Sequence, residues 1–161
     1  LQRAWETPND KKARAGMMLA ACQGGMAFSN SSVCLVHGMS RPIGAVFHLP
    51  HGLSNAILLP TITEYSWPSA PERYATVARN LGCATTGTPI EDACRALVGY
   101  LESLNKSLEL PRLSQCPGVT REVFDRQVEK MASDAIASGS PANNPRIPSV
   151  EEIGALYHKA W

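Results

Sequence analysis

The feature that most limits how this chain can fold is the spacing of its apolar residues, which follows the helical repeat in stretch after stretch. Ile90, Ala93, Cys94, Leu97, Leu101 and Leu104 fall on one helical face. Val123, Phe124, Val128, Met131, Ala135 and Ile136 do the same further on. No stretch alternates apolar and polar residues in the manner of a half-buried strand, and no repeat or low-complexity segment interrupts the pattern. Punctuation sets the helix limits. A helix capped near Asn9 or Asp10 carries Ala13, Met17, Ala20, Ala21, Gly24 and Phe28, and Ser29–Ser32 close it. A second, disturbed at Pro42 and Gly44, precedes the break at "LPHG". A third tolerates Pro60 as a kink, and a short one runs from Ala70 to Gly82. "ELPRLSQCPGVT" reads as loop, and the proline-rich "SGSPANNPRIPS" leads into a last helix from about Val150 to Trp161. These elements predict an all-α fold, a helical bundle of about six or seven helices in one domain of 161 residues.

Charge and composition narrow the function. The 15 basic and 14 acidic residues leave a formal charge of +1 and occur without runs, which gives no electrostatic case for nucleic acid or an anionic membrane. Charged residues are only 18% of the chain against 44% hydrophobic, so part of the surface is expected to face a partner. Cys22, Cys34, Cys83, Cys94 and Cys116 are odd in number and lack CxxC spacing. They predict buried thiols in a reducing compartment, with no disulfide framework or structural zinc site. No apolar run approaches the ~20 residues that span a bilayer. The opening "LQRAWETPND" has neither a signal-peptide pattern nor a first methionine. Cytoplasmic residence and a start inside a longer protein are the expectations.

Chemistry concentrates in "LVHGMSRPIGAVFHLPHGLSNAILLP", Leu35 to Pro60, which holds three of the four histidines. His37 and His51 are fourteen positions apart. In one unbroken helix they would share a face yet stand ~21 Å apart, too far for one ion. Pro42, Gly44, Pro50 and Gly52 could fold the segment back and bring both imidazoles within ~2 Å of a common metal. On spacing alone the simpler account is that each ring satisfies its own hydrogen bond.

The wider motif "GMAFSNSSVCLVHGMSRPIGAVFHLPHGLSNAILLP" resembles the metal-site segment of the iron-containing (group III) alcohol dehydrogenases, read as AGxAFxNxxxGxVHxMAHxLGxxxxxPHGxxNAxLLP. Ala27, Phe28, Asn30, Val36, His37, Met39, Gly44, Pro50, His51, Gly52, Asn55, Ala56, Leu58, Leu59 and Pro60 fall in register. The ending "NPRIPSVEEIGALYHKAW" resembles that family's carboxyl terminus. The resemblance therefore covers the whole chain but only half of the family's enzyme. It implies residues 1–161 as a helical metal-binding C-terminal domain of dehydroquinate synthase-like type, and an α/β nucleotide-binding domain that is absent from this chain. No GGGS-type turn or other dinucleotide fingerprint occurs here.

By the same resemblance, His37 and His51 are the last two of four metal ligands. The first two, an aspartate and a histidine four residues after it, are expected upstream of Leu1, because no histidine precedes His37. Fe(II) is favoured and Zn(II) is the other metal such a donor set accepts. NAD or NADP would bind through the N-terminal domain. The implied activity is interconversion of alcohols with aldehydes or ketones in a homo-oligomer, the isolated chain being inactive. Small alcohols, aldehydes or hydroxy acids are the substrates. The alternatives are a zinc-dependent relative such as glycerol dehydrogenase, and a non-catalytic helical binding or oligomerisation module. A histidine associated with proton relay is common four residues after the position matching His37, and here it is Arg41. A guanidinium stays protonated and cannot shuttle a proton, but it can pair with a carboxylate. Arg41 therefore either biases the site toward acidic substrates or pairs with an acidic residue of the other domain. Phe28 and Asn30 match positions near the cleft, with core filling and helix ending as the competing roles. His48 is a further substrate-side position, against an ordinary loop role. His158 is expected at the surface, and Tyr65, Trp67 and Trp161 as core or rim aromatics.

Overall fold

A computed structural model describes all 161 residues and is helical throughout, with eight α-helices joined by turns. The helices are α1 (Gln2–Glu6), α2 (Lys11–Ser31), α3 (Leu35–Phe47), α4 (His51–Ser66), α5 (Pro71–Asn80), α6 (Ile90–Ser107), α7 (Arg121–Ala137) and α8 (Val150–Lys159). Helices α2–α8 are the seven that periodicity predicts. The addition is α1, too short for a periodic signal. Single 3-10 turns at Trp67–Ser69, Leu113–Gln115 and Ser140–Asn143 occupy segments that read as loop or helix end. No helix is long and apolar enough to cross a membrane.

The chain divides into two compact units, Leu1–Val33 and Cys34–Trp161. In the first, Asp10 caps α2 by accepting from the Ala13 amide at 3.0 Å and pairs with Arg3. The Ala13 N–H, followed by Arg3, holds its carboxyl below the usual range. No residue of α2 is buried, and Met18, Leu19, Met26 and Phe28 are all exposed. Phe28, for which core filling was one expected role, is 52% exposed. The expectation of buried cysteines also needs correction. Cys94 and Cys116 are buried, Cys34 and Cys83 half-buried, and Cys22 on α2 exposed. A helical stripe of small residues marks a face that suits packing, but burial follows only where something covers it.

In the second unit, the larger core is built from α3, α4, α7 and α8. Met39, Ile43, Leu58, Phe124, Met131 and Ile153 are fully or almost fully buried there. Tyr157 crosses it from α8 and donates its hydroxyl to the Met39 carbonyl at 2.7 Å. Burial pushes this phenol far above the ordinary tyrosine range, so it stays a neutral donor. A second cluster packs α5 on α6 through Ala75, Ala78, Ala93, Cys94 and Leu97, the small residues allowing close approach. Pro60 sits inside α4 and removes the amide that would bond the Ala56 carbonyl four residues earlier. That carbonyl instead accepts from Asn105 Nδ2 of α6 at 2.8 Å.

The candidate site lies where the chain reverses after α3. His48 adopts a left-handed conformation (φ 56°) and ends the helix, donating its amide to the Gly44 carbonyl at 3.0 Å. Leu49 then runs back alongside α3, its carbonyl 3.5 Å from where a Cβ on Gly44 would stand. Pro50 starts α4, and Ser54 bonds the Pro50 carbonyl through both amide and hydroxyl.

Candidate functional site: a histidine pair at the α3–α4 reversal

The reversal places His51, the first residue of α4, beside the first turns of α3. The His37 and His51 rings stand 5.2 Å apart, centroid to centroid, tilted by 52°. Two imidazoles sharing one ion at about 2 Å with a tetrahedral angle would have centroids roughly 5 Å apart. The pair thus has the spacing of two ligands of one metal. No third histidine, cysteine, aspartate or glutamate joins them, as no group of three such residues occurs in the chain.

The neutral form needed for ligation is favoured at His37. Partial burial, then the neighbouring His51 and Arg41, hold this imidazole below its usual range. His51 is exposed, with Ser40 Oγ 3.5 Å from its Nδ1 and Asn55 Nδ2 3.0 Å from its Nε2. Asn55 lies one turn further along α4, and its Oδ1 is buried without a partner. A buried acceptor left unpaired is costly. With its amide oxygen and nitrogen exchanged, Asn55 would instead accept from a protonated His51 Nε2 and leave Nδ1 as the ligating nitrogen.

Arg41 stands one turn after His37, exposed, and donates from one guanidinium nitrogen to Ser140 Oγ at 3.1 Å. It makes no ion pair, since every salt bridge in the chain involves other residues. The other sequence candidates have surroundings of their own, and Phe28 and Asn30 belong to the first unit. His48 is exposed and serves the reversal itself. Phe28 and Asn30 belong to α2, where Asn30 Nδ2 bonds the Met26 carbonyl at 2.7 Å within its own helix. His158 is exposed and lies edge-on to Phe124, as a surface residue should. Tyr65, Trp67 and Trp161 are half-buried. Sequence reasoning named Asn55 as a motif position without a role and missed Ser40 and Ser140. The Asn55 contact was detectable from its position four residues after His51, whereas Ser140 is about a hundred residues from Arg41 and left no local signal.

Comparison with known proteins agrees with this arrangement of helices. The fold is that of the helical part of the metal-containing alcohol dehydrogenases: a crystal structure of a 1,3-propanediol oxidoreductase superposes with a TM-score of 0.92 at 29% identity, over 99% of this chain and 41% of that one. An iron-containing alcohol dehydrogenase from Thermococcus thioreducens gives 0.83 at 36% identity, over 95% and 38%. The family model described as "Fe-containing alcohol dehydrogenase family, C-terminal" matches residues 1–161, and the chain belongs to that family. Lactaldehyde reductase of Escherichia coli strain K12 is 37% identical over 94% of this chain and 39% of its own length. The NADPH-dependent butanol dehydrogenase of Clostridium saccharobutylicum is 34% identical over 92% and 38%. The chain spans about two-fifths of the length of these relatives.

Proposed function

We propose that this chain is the helical, metal-ligating half of an NAD(P)-linked alcohol dehydrogenase that interconverts small alcohols with aldehydes or ketones. His37 and His51 supply two of its metal ligands. The observation that carries the reading is the 5.2 Å separation of two rings fourteen residues apart in sequence. Two imidazoles make an open and weak site by themselves, so the remaining donors and the nicotinamide-binding domain are assigned to the rest of a longer protein. Iron is favoured over zinc by family membership, and imidazole nitrogen accepts either.

When bound, the metal supplies a Lewis acid that polarises the alcohol or carbonyl oxygen. The work of this chain is positional. The α3–α4 reversal sets the spacing of the two rings, and partial burial keeps His37 neutral and able to ligate. Asn55 Nδ2 and Ser40 Oγ stand at the two ring nitrogens of His51, at 3.0 and 3.5 Å, so a metal bound to this ring would replace one of these contacts while the other orients it. The test is metal retention in the full-length protein, measured by competition with a chelator, alongside nicotinamide reduction by small alcohols. His37→Ala and His51→Ala are each expected to weaken metal binding by more than about a hundredfold, beyond what loss of an outer hydrogen bond would do. Unaltered metal binding in both variants would overturn the assignment.

A further inference from the structure

The unpaired guanidinium beside the histidine pair is held in place by a structure that the proposed metal chemistry does not require. Helix α7 ends at Ala137, Gly139 follows in a left-handed conformation (φ 74°), and the chain turns through Ser140–Asn143 onto α3. The fit is close: a Cβ on Gly38 would stand 2.9 Å from two ring carbons of Pro141. Only glycine at position 38 lets this turn lie against the helix next to His37. Ser138 Oγ accepts from the Ser140 amide at 3.3 Å and donates to the Ala135 carbonyl at 2.7 Å, fixing the backbone of the turn. Ser140 is only 6% exposed, yet its hydroxyl reaches Arg41 at 3.1 Å.

The result is a cation with one nitrogen tethered and no carboxylate partner, aimed from the same helix face as His37. A guanidinium has five N–H donors arranged to grip a carboxylate through two parallel bonds. One bond to Ser140 leaves that capacity largely unused. We propose that Arg41 is the specificity-determining residue of the site, a receptor for the carboxylate of a short hydroxy-acid or oxo-acid substrate, with Ser140 as its positioning residue. This rests on the dehydrogenase reading above and names the substrate class for the same site.

Equilibrium binding to the full-length protein tests it without requiring turnover. Lactate and propane-1,2-diol share a carbon frame and differ in carboxylate against hydroxymethyl. The wild-type protein binds lactate more tightly, by roughly tenfold to a hundredfold, the range of a hydrogen bond to a charged group. Arg41→Ala abolishes that preference, and Arg41→Lys restores part of it, because an ammonium supplies charge without the planar fork. Ser140→Ala reduces the preference by releasing the guanidinium, and added salt weakens lactate binding but not diol binding. The proposal is overturned if the wild-type protein binds the two alike or not at all, or if Arg41→Ala keeps the preference. Nicotinamide reduction with the diol decides the dehydrogenase reading separately. Oxidation of neutral alcohols without a lactate preference would remove the receptor and leave the enzyme. A lactate preference without any oxidation would do the reverse.

Discussion

His51 meets His37 because the chain doubles back on α3, and the residue that makes the reversal is His48 in a left-handed conformation (φ 56°). A non-glycine residue pays a steric cost there, and a β-branched one pays more. His48→Gly is therefore expected to raise stability by up to about 1 kcal/mol while leaving metal affinity intact. His48→Val should lower stability and loosen metal binding together, since it would displace His51. Paired denaturation curves and chelator competition measure both. Loss of metal from His48→Gly would instead give this imidazole a direct role at the site.

Gly38 and Pro141 impose a second constraint beside the histidine pair. An alanine methyl at position 38 would meet Pro141 Cδ and Cγ at 2.9 Å, closer than real Cβ contacts allow. A proline ring cannot rotate away, so the turn must shift. Gly38→Ala should cost about 1–3 kcal/mol, the usual penalty for overpacking. Gly44→Ala is the control, because its nearest neighbour is an ordinary 3.5 Å contact with the Leu49 carbonyl. Equal melting temperatures for the two variants would mean that the Ser140–Asn143 turn does not press on α3.

The helices α3 to α8 were legible in the sequence because each carries its own period and punctuation. Thr120 caps α7, Ser149 caps α8, and Pro71 opens α5. The histidine pair was legible as a possibility because Pro50 marks a break, but α3 runs unbroken through Pro42 and Gly44 and α4 includes Gly52, so three of the four expected interruptions do not turn the chain and the geometry was not legible. A breaker says that the chain changes direction without saying which way. The return of His51 to Ser40 depends on the left-handed φ of His48, which a non-glycine residue does not advertise. In α2 the helix and its Asp10 cap were legible, but the exposure of Phe28 and Cys22 was not. The stripe through Met17, Ala20, Ala21 and Gly24 describes a face suited to packing, whereas burial depends on what lies against it. Arg41 and Ser140 show the same limit, their bond being a product of how the end of α7 meets α3.

Glu152 makes the α4–α8 junction sensitive to acid. Its Oε2 accepts from the Ser149 amide at 2.9 Å and the Tyr65 hydroxyl at 3.0 Å, and its Oε1 accepts from Arg146 at 2.7 Å. The Ser149 amide, then Tyr65, then Arg146 hold its carboxyl below the ordinary range. A carboxylate depressed in the folded state contributes stability that is present above its unfolded pKa, near 4.5 for a glutamate, and lost as pH falls through the folded value. Melting temperature should therefore fall between pH 5 and more acidic conditions, and Glu152→Gln should flatten that dependence while lowering stability at neutral pH. An acid dependence identical in Glu152→Gln and wild type would assign the effect to other carboxylates, Asp10 among them.

Asn105 and Pro60 form a compensating pair that a double-mutant cycle can isolate. Proline at position 60 has no amide to give the Ala56 carbonyl, and Asn105 Nδ2 supplies the missing bond from α6 at 2.8 Å. Asn105→Ala should cost about 1–3 kcal/mol, the penalty for an acceptor stripped of its partner where water reaches it poorly. Pro60→Ala restores a helical amide at position 60, so Ala56 no longer depends on α6. In the Pro60→Ala background, removal of Asn105 should then cost well under half of what it costs in the wild-type chain. That non-additivity distinguishes a carbonyl rescue from simple packing of the Asn105 side chain, which would cost the same in both backgrounds. Additive losses would show that Asn105 holds α6 to α4 by contact, and that the carbonyl freed by Pro60 is satisfied by solvent.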